Sequence, residues 1–350
     1  MDLNENEILL LRGREVRDLL EGREREVMDA VAAAYRAHGR GESALPHSNF
    51  LRFPHDASSR IIALPAFLGG GARVAGMKWI ASFPRNLSLG LERASATLIL
   101  NSADTGRPLS IMEASLVSAR RTAASAALAA QRLHAGLDAS RVGIVGCGPI
   151  SLEVVRFLRV ALPEVRELVL HDLSETRARD FAAVVERETG PIGVVYAAST
   201  DEVLASASLV SFATTAGVPH VAALPAGPRP QTILHVSLRD LSAEVILGVD
   251  NVVDDVDHVC RAETSIHLAE KATGGRAFVR CTLGDVLDGR AAPRGPQGVT
   301  IFSPFGLGVL DLAVAHLAWE RARAEGVGTT FDGFFPEPWN AEPATAAAAA

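Results

Sequence analysis

Val142-Gly143-Ile144-Val145-Gly146-Cys147-Gly148-Pro149-Ile150-Ser151 decides the fold. An apolar run ends in glycines and opens into Leu152-Glu153-Val154-Val155-Arg156-Phe157-Leu158, which has helical spacing. The reading is strand, tight turn, helix. Gly146 and Gly148 stand where a dinucleotide-binding turn needs residues without Cβ. Bare backbone can then approach a pyrophosphate, and the helix N-terminus supplies N–H donors and positive dipole. Two glycines alone are weak, because many strand–helix turns carry them. A second apolar strand, Glu167-Leu168-Val169-Leu170-His171, ends at Asp172, at the spacing of an acid that accepts the hydrogen bonds of an adenosine ribose.

Outward from this turn the chain alternates strand and helix, as a parallel sheet requires. Strands are expected at Val142–Val145, Leu168–His171, Val194–Tyr196, Leu209–Phe212, Ile233–Ser237 and Asn251–Asp254, with crossover helices at Leu152–Leu162 and Glu175–Glu188. Thr214-Thr215 follows the fourth strand, at the carboxyl edge where ligands bind in open α/β sheets. Upstream, an amphipathic helix is expected from Arg23 to His38, then short strands at Asn49–Phe53, Arg60–Pro65, Ala75–Ser82 and Ser95–Asn101. From Ser110 an alanine-dense helix is expected to run to about His134 and deliver the chain to the glycine turn. After a Pro/Gly-rich stretch from Arg290 to Gly298, Val299–Phe302 reads as a strand and Val309–Ala324 as a helix returning to the N-terminal domain. The expected architecture is α/β: a Rossmann doubly wound parallel sheet over 126–298, and a sheet-rich α+β substrate and dimerisation domain from 1–125 and 299–341. The alanine-rich tail, 342–350, has nothing to bury and is expected to be disordered.

Bulk composition narrows the class. The 350 residues are 48% hydrophobic and 21% charged, with a formal net charge of −7, a soluble globular balance. No basic stripe suits nucleic acid. No apolar run approaches the roughly twenty residues of a membrane helix. The start, Met1-Asp2-Leu3-Asn4-Glu5-Asn6, lacks the features of a signal peptide, and Cys147, Cys260 and Cys281 have no metal or redox spacing, so a reducing cytoplasm is expected. The histidines form no HxxxH or HxH pair, and no metal is expected.

Cations on apolar elements are the candidate chemistry. Lys78, in Ala75-Gly76-Met77-Lys78-Trp79-Ile80, must send its head to water or meet an anion. Arg52, in Phe50-Leu51-Arg52-Phe53, poses the same choice, and Arg93 sits beside the strand at Ser95. Arg120 and Arg121 interrupt the alanine helix, with Arg121 next to Thr122. Each alone reads as an ordinary surface cation; together they read as a pocket for an anionic substrate. Asp240, in Leu238-Arg239-Asp240-Leu241-Ser242, follows a Rossmann strand at the edge where a nicotinamide would lie. It reads equally as a helix N-cap and as a general base. Cys147 reads as a small turn residue, and His171 and His235 as strand residues.

The blocks Gly76-Met77-Lys78-Trp79, Thr105-Gly106-Arg107-Pro108-Leu109, Arg121-Thr122-Ala123-Ala124-Ser125, Gly146-Cys147-Gly148-Pro149-Ile150 and Thr300-Ile301-Phe302 resemble the ornithine cyclodeaminase/mu-crystallin family over nearly the whole chain. The resemblance implies a homodimer and an NAD-dependent oxidoreductase acting on CH–NH bonds. It implies that Arg52, Lys78 and Arg121, joined by Arg93, bind substrate carboxylates, and that Lys78 and Asp240 do the catalytic work. It further implies that Thr122, the turn Gly146, Cys147, Gly148, Pro149 and Ile150, and Asp172 hold NAD, with Thr214, Thr215, Ser237 and Leu238 at the carboxyl edge. A narrower likeness is carried by His47-Ser48-Asn49-Phe50-Leu51-Arg52-Phe53, Lys78-Trp79-Ile80-Ala81-Ser82-Phe83-Pro84, Arg93-Ala94-Ser95-Ala96 and Phe334-Phe335-Pro336-Glu337-Pro338-Trp339. These resemble the branch of 2,3-diaminopropionate biosynthesis that acts on N-(2-amino-2-carboxyethyl)-L-glutamate, an amino acid with several carboxylates, in siderophore and peptide-antibiotic pathways. The alternatives it leaves open are ornithine cyclodeamination, a related amino-acid dehydrogenase or ketimine reductase, and a non-catalytic cofactor-binding protein like the crystallins. Three positions depart from the family pattern: Ser102 for a usual Asp, Ala114 for a usual Gly, and Ser151 for a smaller residue.

Overall fold

The computed structural model describes residues 7–226, 230–292, 298–336 and 339. The tail expected to be disordered, 342–350, lies outside the described residues. Two eight-stranded sheets organise the chain. The first is wholly parallel, in the order Gly193–Tyr196, Glu167–His171, Arg141–Val145, Leu209–Phe212, Gln231–His235, Val299–Ser303, Asp250–Val253, Val279–Thr282. Its central strands are buried along their length, as apolar runs such as Gly143-Ile144-Val145 and Leu168-Val169-Leu170 require once helices cover both faces. Strand order reverses between Arg141–Val145 and Leu209–Phe212, so the glycine turn opens at the switch point of the sheet.

The second sheet is mixed, in the order Thr329–Phe331, Ile8–Leu11, Pro108–Glu113, Ala94–Ser102, Val74–Ser82, Asp56–Leu68, Ser43–Ala44, with Asn49–Phe53 pairing on Asp56–Leu68. Its long antiparallel strands present Leu98, Leu100 and Lys78 inward, against helices Ser115–Leu133 and Gly308–Glu325. Helix Ser115–Leu133 is buried on almost every side, which explains its alanines: small side chains let the neighbouring helices Glu24–Gly39 and Pro149–Ala161 approach closely.

Two expectations change. The alanine helix begins at Ser115, because Pro108–Glu113 is a strand paired with Ala94–Ser102 and with Ile8–Leu11. Its Ser110, Ile111 and Met112 alternate in burial, a strand signal that the helical spacing beyond had masked. Val299–Ser303 also moves. It was assigned with 299–341 to the N-terminal domain, yet it pairs between Gln231–His235 and Asp250–Val253 in the parallel sheet. The physical reason is burial: Thr300, Ile301 and Phe302 are enclosed on both faces, and a central parallel strand offers that. The following helix, Gly308–Glu325, does lie against the mixed sheet and the helix Glu24–Gly39. No helix among the described residues is long and apolar enough to cross a membrane.

Candidate active site

Lys78 lies on strand Val74–Ser82 with its side chain between Leu64 and Leu98 of the neighbouring strands. It is 2% exposed, so its head does not reach solvent. Its Nζ donates to Asp311 Oδ1 and Oδ2 at 2.8 and 2.7 Å and to Ser118 Oγ at 2.9 Å. Arg121 donates through Nε to Asp311 Oδ1 at 3.0 Å. Two cations therefore share one buried carboxylate. Burial pushes Lys78 down to about 8, with Asp311 opposing and Arg121 reinforcing that shift. The Arg121 guanidinium also lies flat on Gly306, where a Cβ would fall 2.6 Å from Nη1. Arg120, one residue before, points elsewhere, to Glu21 and Glu153. Asp311 was missing from the sequence reading. Its signal was the same as that of Lys78: a single charge within an apolar run, Gly308-Val309-Leu310-Asp311-Leu312-Ala313-Val314.

A second cation group sits at the end of the mixed sheet. Arg52 and Arg60 are directly opposed across adjacent strands. Arg60 is held below its ordinary value by burial and by the charges of Arg239, Arg93 and Arg52. Arg239 is held down likewise by burial and by Arg52, against the opposing charges of Asp240 and Glu263, and its Nη2 donates to the Ala262 carbonyl. Arg93 Nε is buried with no partner among the described residues. Like charges opposed across a sheet destabilise it. Asp240 and Glu263 act on Arg239 from nearby, yet among the described residues no carboxylate hydrogen-bonds to any of the four guanidinium groups, and together the four mark a place for an anion. Arg52 and Arg93 were expected here; Arg60 and Arg239 were passed over, because only the fold sets Arg60 opposite Arg52 and brings Arg239 close enough for its charge to act on Arg60.

Asp240 is fully buried after strand Gln231–His235. The helix beyond it, Ala243–Leu247, is capped by Ser242, so the N-cap reading of Asp240 is corrected. Asp240 Oδ2 lies 3.1 Å from His235 Nε2 and accepts from Ser237 Oγ; Oδ1 lies 3.1 Å from His220 Nε2 and accepts from Thr214 Oγ1. Burial alone would raise this carboxyl, but the His235, Ser237 and Thr214 hydrogen bonds and the His235 charge hold it well below the usual carboxylate range. Thr214 and Ser237, expected on the cofactor, thus spend their hydroxyls on Asp240. Leu238 has φ +78°, an uncommon value for a leucine, which aims the backbone between Ser237 and Asp240 into this turn. His220, the one half-exposed member, was missed, since its segment has no regular pattern. Thr215 is exposed on the loop beyond Thr214.

The glycine turn is built as a cradle. Gly146 has φ +89°, and a Cβ there would lie 2.7 Å from the Ala213 carbonyl, so only glycine fits. A Cβ on Gly148 would meet nothing within 4 Å, so the start of helix Pro149–Ala161, with Ile150 in its first turn, faces open space. Asp172 folds back on the turn, accepting from Cys147 N and Ser174 N, both at 2.9 Å. Ser151 donates to the Gly146 carbonyl and so braces the turn. Burial, helped by Asp172, pushes the Cys147 thiol up to about 12, which leaves it a turn residue. These features fit a dinucleotide: backbone donors at a helix start and an acceptor for a ribose. Thr122 donates to the Ser118 carbonyl one helical turn back.

Comparison with known proteins agrees with this fold. The chain is 28% identical over 315 residues to N-((2S)-2-amino-2-carboxyethyl)-L-glutamate dehydrogenase of Staphylococcus aureus, covering 87% of this chain and 92% of that one. Among solved structures, an archaeal alanine dehydrogenase dimer with bound NAD matches with TM-score 0.83 and 29% identity, over 94% of this chain and 100% of that one. Thermococcus litoralis Delta(1)-pyrroline-2-carboxylate reductase, in complex with NADH and L-proline, matches with TM-score 0.82 and 25% identity, over 92% and 99%. The model of the ornithine cyclodeaminase/mu-crystallin family matches residues 9–326, and the chain belongs to that family.

Proposed function

We propose that the chain catalyses NAD-dependent oxidative hydrolysis of N-(2-amino-2-carboxyethyl)-L-glutamate to 2-oxoglutarate and L-2,3-diaminopropionate. The chain is an oxidoreductase that uses NAD, like its named relatives. The observation that carries the substrate is the arginine group. Arg52, Arg60 and Arg93 have no acidic partner among the described residues, and Arg239 adds a fourth charge. A substrate with three carboxylates offsets such an excess. Alanine brings one carboxylate, and ornithine brings a second ammonium that this group would repel.

Bound NAD supplies the acceptor for the hydride of the glutamate α-carbon. The rest falls to the chain. Arg121, oriented by Asp311, binds the carboxylate beside that carbon, and Lys78, whose three N–H donors go to Asp311 and Ser118, supports it with its charge. The secondary amine loses its proton as the C–N bond becomes an imine. Asp240 stays ionised and holds His220 in place, and the half-exposed His220 ring takes up that proton, passes it out and helps water add to the imine. Hydrolysis then breaks the C–N bond and leaves the primary amine on 2,3-diaminopropionate. Asp172 favours NAD, because a carboxylate at the ribose repels a 2′-phosphate.

We also propose a cytoplasmic homodimer, serving a siderophore or peptide-antibiotic pathway. The mixed sheet exposes Trp79 and Phe67 at 40% and 36% on the face opposite Lys78, which suits a second copy. The test of function is NADH formation with the proposed substrate, ornithine, alanine and proline. Turnover confined to the proposed substrate is expected. Faster turnover of alanine, or cyclisation of ornithine, would replace this reading.

A further inference from the structure

His258 lies on the short helix Val256–Val259, just past strand Asp250–Val253, and is 7% exposed. Its Nδ1 is 2.9 Å from Asp255 Oδ1, and its backbone N–H donates to the same oxygen at 2.8 Å. The other Asp255 oxygen is 3.0 Å from His38 Nε2, and His38 Nδ1 is 2.8 Å from Ser43 Oγ. The His47 ring lies 5.3 Å from the His258 ring, tilted by 53°. The imidazole is therefore held from two sides. Its Nε2 is buried and has no partner among the described residues. Buried polar atoms are nearly always satisfied, so this one calls for a ligand.

His258 lines a cleft of about 520 Å³ between the two sheets, together with His47, Arg52, Arg261 and Phe305. Small-molecule sites have this size. The charged residues lining it are cationic, and no Asp or Glu lines it. Arg276, also at the cleft, is spent on Asp257 and Glu270. One end of the cleft lies next to the residue that packs on Arg121: Phe305 lines the cleft, and the adjacent Gly306 meets the Arg121 guanidinium. Asp254 fixes that junction by accepting Phe305 N and Gly306 N at 2.9 and 2.7 Å.

We propose that His258, oriented by Asp255, binds a second carboxylate of the substrate, remote from the carbon that loses hydride, and so selects substrates that are anionic at both ends. The proposal rests on the cleft being the substrate site of the function above. With Nδ1 committed to Asp255, the imidazolium offers Nε2–H to the anion. The Asp255 hydrogen bond and the nearby Asp254 favour that imidazolium, burial and Arg261 oppose it, and the net shift is upward.

Calorimetric titration of the NAD-loaded enzyme with 2-oxoglutarate and with 2-oxobutyrate tests it. The two ligands share a 2-oxo acid and differ in the remote carboxylate. Wild type is expected to bind 2-oxoglutarate at least tenfold more tightly. His258→Leu loses that preference while keeping wild-type affinity for 2-oxobutyrate, which also certifies its fold. His258→Gln, with an amide donor in place of the ring N–H, recovers part of the preference. No preference in wild type, or the full preference in His258→Leu, overturns the subsite. Turnover of the proposed substrate separates this from the function itself. A wild type that ignores that substrate but shows the His258-dependent preference keeps the subsite and loses the function. Wild-type turnover with KM unchanged in His258→Leu does the reverse, whereas KM raised tenfold or more with kcat nearly constant supports both.

Discussion

The Lys78 ammonium meets both carboxylate oxygens of Asp311, at 2.8 and 2.7 Å, across two elements 233 positions apart in the chain. Both side chains are 1% exposed. Removing one partner strands the other charge in a dry site, at a cost of about 3–5 kcal/mol. Asp311→Asn is therefore expected to lower unfolding stability by that order and to cut kcat/KM sharply, as Lys78 and Arg121 lose their common anchor. Urea unfolding of Asp311→Asn, Lys78→Met and the double variant checks it. The double variant should be more stable than the sum of the single losses implies.

Lys78 gives a pH dependence with a defined sign. Its cationic form supports the substrate carboxylate by charge, and its proton leaves near pH 8, so kcat/KM is expected to fall as pH rises through about 8. Stability moves the other way. Between about 8 and the ordinary 10.5, the unfolded chain holds more of this proton than the folded chain, so this residue makes stability rise with pH across that window. The difference between wild type and Lys78→Met in unfolding free energy, measured from pH 7 to 10, should carry that slope. A flat difference would mean the lysine is not desolvated.

Arg60 faces Arg52 across the sheet, so Arg60→Gln relieves a repulsion. The melting temperature should hold or rise by a degree or two, while KM for a multi-carboxylate substrate rises about tenfold or more. A structural arginine would show the opposite pattern, with lower stability and unchanged KM.

Asp240→Asn leaves an amide where His220, His235, Ser237 and Thr214 all face the carboxylate. Turnover is expected to fall by roughly a hundredfold or more, the scale of lost acid/base assistance. Stability should fall by about 1–3 kcal/mol, as buried donors lose their acceptor. NAD affinity, read by fluorescence titration, should persist. Unchanged turnover would mean that His220 needs no carboxylate beside it to move the proton.

Asp172→Ala should weaken NAD and narrow its advantage over NADP, since the ribose loses its acceptor. The check is kcat/KM with each cofactor in both proteins. A wild type that prefers NADP would end the assignment.

Local pattern alone determined six of the eight strands of the parallel sheet, the glycine turn and the place of Asp172, because apolar runs and glycine positions encode strand and turn without reference to distant residues. It also singled out Lys78, Arg121, Arg52 and Arg93, as charges that an apolar element must explain. Tertiary structure decided what those charges meet. Asp311 and Lys78 are each a lone charge in an apolar run, and only packing helix Gly308–Glu325 on the mixed sheet makes them a pair. Arg60 looked like a strand end until cross-strand register set it opposite Arg52. Asp240 read equally as cap and base, and the choice came from its four side-chain partners, drawn from three separate segments. Val299–Ser303 reads as a strand anywhere, and its place between Gln231–His235 and Asp250–Val253 follows from which sheet could bury both its faces. Periodicity reports how a segment is buried, while the partner that buries it is fixed only when the whole chain closes.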